Sequence, residues 1–208
     1  MFSPQSRDDL TRAIYDCCRD GISSEDNDPP RLYGPIGNWD VSQVTNMSTV
    51  FRDLKTFDYT LSNWDVSRVT NMTRMFDSAF SFDQELSNWD VSLVADMTEM
   101  FHAARSFNQD LSDWNVSRVT KMTMMFLGAI AFNQVLSDWD VSRVTDMGGM
   151  FGVATSFNQD LSNWDVSRVT FMEAMFRHAR SFNQDLSDWD VSRVAFMRMM
   201  FDLSLIHI

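Results

Sequence analysis

The chain has 208 residues, ample for a buried core within one or two domains. Its 17 Lys and Arg against 29 Asp and Glu leave a formal charge of −12, which disfavours nucleic acid and anionic lipid as partners because both need clustered cations. Two adjacent cysteines, Cys17 and Cys18, rule out a disulfide-built scaffold, and no apolar run approaches the roughly 18 residues of a membrane span.

The first predicted element is a capping helix within residues 1–22. Ser6 and Asp9 form a capping box, and Leu10, Ala13, Ile14 and Cys17 share one face. Gly21 stops the helix. Residues 23–32 are a polar linker containing Ser23 to Pro30. No apolar segment near the start marks a signal peptide.

From residue 33 to 202 the chain is a repeat. Trp39, Trp64, Trp89, Trp114, Trp139, Trp164 and Trp189 keep a constant step of 25 residues, as do Phe51 to Phe201 and Met47 to Met197. Seven units without an insertion give every neighbouring pair the same contacts, which is the mark of a solenoid. A propeller is excluded, because its blades need about 40–45 residues.

In the unit that starts at Leu61, Trp64 and Val66 alternate with Asn63, Asp65 and Ser67, which predicts a strand of three or four residues. Met72, Met75, Phe76 and Ala79 then fall at i, i+3, i+4 and i+7, predicting a helix of two to three turns with Thr70 as its N-cap. Strands stack at about 4.8 Å and helices at about 8–10 Å, so such an array has to bend. The expected fold is an α/β repeat solenoid: a leucine-rich-repeat-like horseshoe with one short strand and one short helix per 25-residue unit, behind an N-terminal capping helix. A continuous parallel β-helix is the alternative, and the helical spacing tells against it. Residues 203–208 match no unit and read as an aberrant tail where the array is cut short.

The pattern of Leu61, Trp64, Val66, Val69 and Met72 resembles the leucine-rich repeat, without its buried Asn ladder. More specifically, W-D-V-S-x-V-T-x-M followed by M-F, A and F-N-Q-D-L-S resembles the BspA-like surface-protein repeats of mycoplasmas, other bacteria and marine microalgae. The likeness runs from Tyr33 to Phe201. It implies cell-surface or secreted placement and adhesion, and it supplies no catalytic residue.

The residues themselves point the same way. His102, His178 and His207 form no constellation, and no unit carries a unique reactive group, so neither catalysis, a cofactor nor a metal is expected. Asp40, Asp65, Asp90, Asp140, Asp165 and Asp190 form an acidic column, interrupted by Asn115. Arg68, Arg118, Arg143, Arg168 and Arg193 stand three residues on, which suggests an Asp–Arg–Ser ladder; calcium at Asp110, Asp113 and Asn115 is the alternative. Asn46, Asn71 and Asn115 lie in glycosylation sequons, and for Asn46 and Asn71, which share a column with Asp96 and Asp146, helix-start chemistry is an equal explanation.

The expected function is a non-catalytic binding or adhesion module for a protein or a polysaccharide, with a purely structural spacer as the alternative. The candidate surface has two parts. Asp65, Asp90, Asp140 and Asp165 on the repetitive inner face suit a repetitive ligand, whereas Glu99 and Arg177 on the variable helix side suit a unique protein. The last unit lacks a cap, which predicts end-to-end self-association.

Overall fold

The computed structural model describes residues 2–18 and 33–204, and the stretch between them that holds Gly21 and the polar linker lies outside. So does most of the aberrant tail, including His207. Helix α1 spans Arg7–Cys18 and buries Leu10, Ala13, Ile14 and Cys17 against the first coil of the repeat. Its start is fixed by Ser6, whose Oγ accepts from the Asp9 N–H at 3.1 Å and donates to the Asp9 carboxylate at 2.9 Å. Arg7 also reaches Ser48 of the first coil.

The 25-residue units are successive coils, numbered 1 to 7 here by their tryptophans from Trp39 to Trp189. They stack in parallel through single-residue bridges, Asn46 to Asn71 to Asp96 to Lys121 to Asp146 to Phe171 to Phe196. The expected strand and helix per unit do not form. Beyond α1 the described residues hold one 3-10 turn, Ile36–Asn38, and no strand longer than a bridge.

In place of the helix there is a ribbon of tandem turns. In coil 2 the N–H groups of Met75, Asp77 and Ala79 donate to the carbonyls three residues back, at Met72, Arg74 and Phe76. The alternate N–H groups, those of Met72, Arg74, Phe76 and Ser78, donate instead to Asp96, Thr98, Met100 and His102 of coil 3. Arg74 and Ser78 carry φ of 56° and 61°, and the same two columns are left-handed in every coil. A left-handed residue every fourth position cancels the winding that would make a helix. Thr70, expected as an N-cap, donates its hydroxyl to the Thr45 carbonyl across the stack.

The predicted strand is also built from turns. Trp64 donates its N–H to Leu61, and Val69 donates to Val66. Inward and outward positions nevertheless fall as the alternation implies, with Trp64, Val66 and Val69 buried and Asp65 exposed. With no helical layer the bend disappears as a requirement. Phe51 to Phe201 stack ring on ring with centroids 5.2–5.7 Å apart and planes within 3–7°. A second column, Phe57 to Phe182, steps at 5.9–6.1 Å. Both are close to the spacing of parallel chains, so the far side keeps nearly the same rise as the bridges. The horseshoe is replaced by a turn-built parallel solenoid, nearer to the β-helix alternative.

The core repeats with the chain. Each indole N–H from Trp64 to Trp189 donates to a backbone carbonyl of the preceding coil, as from Trp89 to Leu61, at 2.9–3.1 Å. An amide ladder that sequence reasoning missed runs beside it. The side chains of Asp58, Asp83, Asn108, Asn133 and Asn158 each accept the backbone N–H 25 residues on, at 2.8–3.0 Å. Gln84, Gln109, Gln134, Gln159 and Gln184 reach back to the same rungs.

Candidate functional site

The sequence-predicted surface residues separate onto two faces. Asp65, Asp90, Asp140 and Asp165 stand exposed in one column, with Asp110, Asp160 and Asp185 and also Asp113, Asp138 and Asp188 exposed alongside. In the repeated W-D-V-S the aspartate closes a small loop: Asp65 Oδ1 accepts from the Ser67 N–H at 3.1 Å and from its hydroxyl at 2.7 Å. Hydrogen bonds from Ser92, Ser142 and Ser167 hold the carboxyls of Asp90, Asp140 and Asp165 below the usual carboxylate range.

The expected arginine ladder is absent. Among the described residues no arginine of the column Arg68 to Arg193 lies within ion-pair distance of these aspartates. Arg68 donates instead to Gln43 of the neighbouring coil. Serine supplies the local partner, and Arg143, Arg168 and Arg193 act on Asp140, Asp165 and Asp190 only as a lesser influence from beyond ion-pair distance. Asn115 takes the same role as the aspartates, accepting from the Ser117 hydroxyl at 2.7 Å. Asp110 accepts from the Ser112 N–H, so two of the three groups weighed for calcium are engaged in turns.

The ribbon of turns carries the variation. Arg52, Asp77 and His102 occupy one column on coils 1 to 3; Arg52 Nε stands 3.2 Å from the Asp77 carboxylate and His102 Nδ1 stands 2.7 Å from it. Arg74 grips both oxygens of Glu99 at 2.6 and 2.8 Å. Glu99 is therefore a half-buried ion-pair partner, and His102 packs on buried Asp77. Asp77, Glu99 and His102 lie close enough to share an ion, but two guanidiniums already neutralise the carboxylates. Arg177 pairs with Asp202 on the last coil at 3.3 Å.

Between these charged ends, the same two columns are uncharged on coils 4 and 5. The columns that carry Arg74, Asp77, Glu99 and His102 carry Met124, Leu127, Gly149 and Gly152 here. A side chain on Gly152 would meet Leu127 at 2.7 Å, so the glycine makes room for its neighbour. Met124, Ile130 and Val153 remain 38–42% exposed. Val153 and Met124 are also left-handed, at φ 57° and 54°. For a β-branched residue that conformation is an outlier, costing on the order of 1–2 kcal/mol.

The remaining candidates are quiet. Burial first, then a neighbouring charge, pushes the Cys17 and Cys18 thiols up to about 11 and about 12, which keeps both protonated and unreactive. Asn46 and Asn71 use their side-chain oxygens to accept from the N–H two residues on. No helix among the described residues is long and apolar enough to cross a membrane.

A family model described as "Mycoplasma protein of unknown function, DUF285" matches residues 25–134 and again 111–205. No curated protein and no solved structure matches the chain.

Proposed function

Because the chain belongs to this DUF285 family of Mycoplasma proteins of unknown function, with two overlapping matches that span its whole solenoid, we propose that it is a non-catalytic binding module, displayed at a cell surface or secreted, that holds a protein partner on the turn face of coils 4 and 5. The likeness to BspA-like repeats supports the placement and the adhesive role.

The observation that carries the reading is Val153. A β-branched residue in a left-handed turn and 39% exposed raises the energy of the fold twice over, through its backbone and through its hydration. The left-handed columns are structural in every coil, and β-branched Thr49 adopts the same conformation at φ 64°, so it is the exposed apolar side chain on that backbone at Val153 that points to use. Met124, Leu127 and Ile130 extend the same patch, whereas the column of Leu127 carries the polar side chains Arg52, Asp77, His102, Arg177 and Asp202 on coils 1 to 3, 6 and 7.

A second reading is favoured by the acidic band. Its main column, Asp40 to Asp190, changes only at Asn115, which suits a repetitive polysaccharide rather than a unique protein. Binding of the immobilised chain to solubilised surface proteins and to purified wall polysaccharides separates the two. Met124→Ser with Val153→Asn should abolish protein capture, and Asp90→Asn with Asp140→Asn should leave it intact. The opposite pattern favours the polysaccharide, and equal loss from both pairs sinks both assignments.

A further inference from the structure

The amide ladder has a beginning, and what lies there differs from the rest of the surface. In coils 2 to 6 each glutamine of the ladder lies back along the preceding coil and closes the surface. Coil 1 carries Tyr59 at that position, and one turn earlier Tyr33 stands where the later rungs carry Asp or Asn. Neither tyrosine continues the pattern, so Asp58 is the first rung.

A cleft of about 380 Å³ opens beside it, lined by Asn38, Asp58, Tyr59, Thr60, Asn63 and Gln84 over a floor at Ile36 and Gly37. Its size is at the lower end of the roughly 300–1,000 Å³ of small-ligand sites. Gly37 is required there, since a Cβ would stand 2.8 Å from the Thr60 carbonyl oxygen. Tyr59 is half-buried, with its ring edge-on to Phe57 at 5.6 Å. Asp58 uses Oδ1 for the Asp83 N–H and the Gln84 amide.

We propose that this cleft binds one or two rings of a neutral saccharide. A sugar ring offers apolar C–H faces together with hydroxyls that both donate and accept. The lining answers each part: the aromatic side chain of Tyr59, amides with donors and acceptors in Asn38, Asn63 and Gln84, the Thr60 hydroxyl shared with Ser62, and carboxylate Oδ2 of Asp58 as acceptor. Asp58 and the adjoining acidic band disfavour an anionic sugar. The proposal shares with the preceding one only the premise of a binding module, and it uses none of the turn-face residues.

Saturation-transfer NMR on the whole chain tests it, with cellobiose, laminaribiose and maltose as neutral probes and a glucosamine disaccharide and a uronate disaccharide as charged ones. At least one neutral probe should receive saturation on its ring C–H protons. Tyr59→Gln, which installs the residue of coils 2 to 6, should abolish the transfer, and Asn63→Ala should weaken it about tenfold. Asp138→Asn, in the column of Asn63 but three coils away, should change nothing. If Tyr59→Gln fails to fold, Asn63→Ala and Asn38→Ala at exposed positions carry the test. Silence from all neutral probes, transfer to a charged probe only, or transfer that survives the cleft substitutions would overturn the proposal. Protein capture through Met124 and Val153 that persists alongside such a result would leave the broader reading standing.

Discussion

At the scale of single residues, the aspartates of the acidic band are structural before they are electrostatic. Hydrogen bonds from Ser142, first its hydroxyl and then its N–H, favour the ionised form of Asp140 in the fold. A carboxyl held below its unfolded value of about 3.9 contributes stability that is complete above that pH and is lost as pH falls toward the folded value. The melting temperature should therefore stay level from about pH 7 to about pH 5 and fall below about pH 4. Asp140→Asn keeps the acceptor, as Asn115 does naturally, and should soften that acid limb with little loss at neutral pH. Asp140→Ala removes the acceptor and should cost about 0.5–1.5 kcal/mol at neutral pH, a cost that shrinks below about pH 4 as the wild-type carboxylate is protonated. Thermal melts of the three proteins across pH check all of this. Val153 gives a prediction of opposite sign: Val153→Gly relieves a left-handed β-branched residue and should stabilise the chain by about 0.5–1 kcal/mol in urea titration. A destabilised Val153→Gly would mean that the side chain supports the fold, which removes the argument for its use in binding.

At the scale of one coil, the ladder ties neighbours together as firmly as the bridges do. Asn133 accepts the Asn158 N–H and the Gln159 amide through one side-chain oxygen. Asn133→Leu leaves the Asn158 N–H unpaired at a half-buried site, while the Gln159 amide keeps the Asn133 carbonyl, and should cost about 1–3 kcal/mol. Amide exchange at Asn158 should then accelerate selectively, while a uniform acceleration would assign the loss to general unfolding instead. This ladder also marks the limit of what was legible in the sequence. The period, the capping helix and the inward positions Trp64, Val66, Met72, Met75, Phe76 and Ala79 follow from spacing alone. The backbone that joins them does not. A ribbon with a left-handed residue every four positions points the same side chains inward as a short helix, and Arg74, Glu99 and Met124 give no sign of positive φ, as glycine would. The mismatch between 4.8 Å and 8–10 Å stacking, used to infer a bend, argued equally against having helices at all. The repeated F-N-Q was the available signal for the ladder, and the Asp–Arg pairing failed because each aspartate has a serine two residues away, closer than any arginine.

At the scale of the whole molecule, the two ends of the stack are unlike. Coil 1 is covered by Leu10, Ile14 and Cys17 of α1, and the Phe2 carbonyl accepts the Asp40 N–H. Coil 7 presents its side outward. Val191 and Met197 are 39% and 40% exposed, against 1% and 0% for Val166 and Met172 one coil earlier, and Phe196 is 58% exposed. Met172, Ala174, Phe176 and His178 donate their N–H groups to coil 7; Met197, Met199, Phe201 and Leu203 hold the same positions one coil on and find no such acceptor among the described residues. An apolar edge with open backbone donors is complementary to another coil of the same kind, and it associates when none is supplied. The 208-residue chain should therefore self-associate through coil 7 at about tens of micromolar, seen as a rising mass in light scattering. Phe196→Lys with Met199→Lys places charge on that edge and should return the chain to a monomer. Lengthening the array by further coils and a polar cap should do the same and raise the melting temperature. A monodisperse monomer whose amides exchange slowly through Phe201 would show that the edge is already covered, and the association would have to be abandoned.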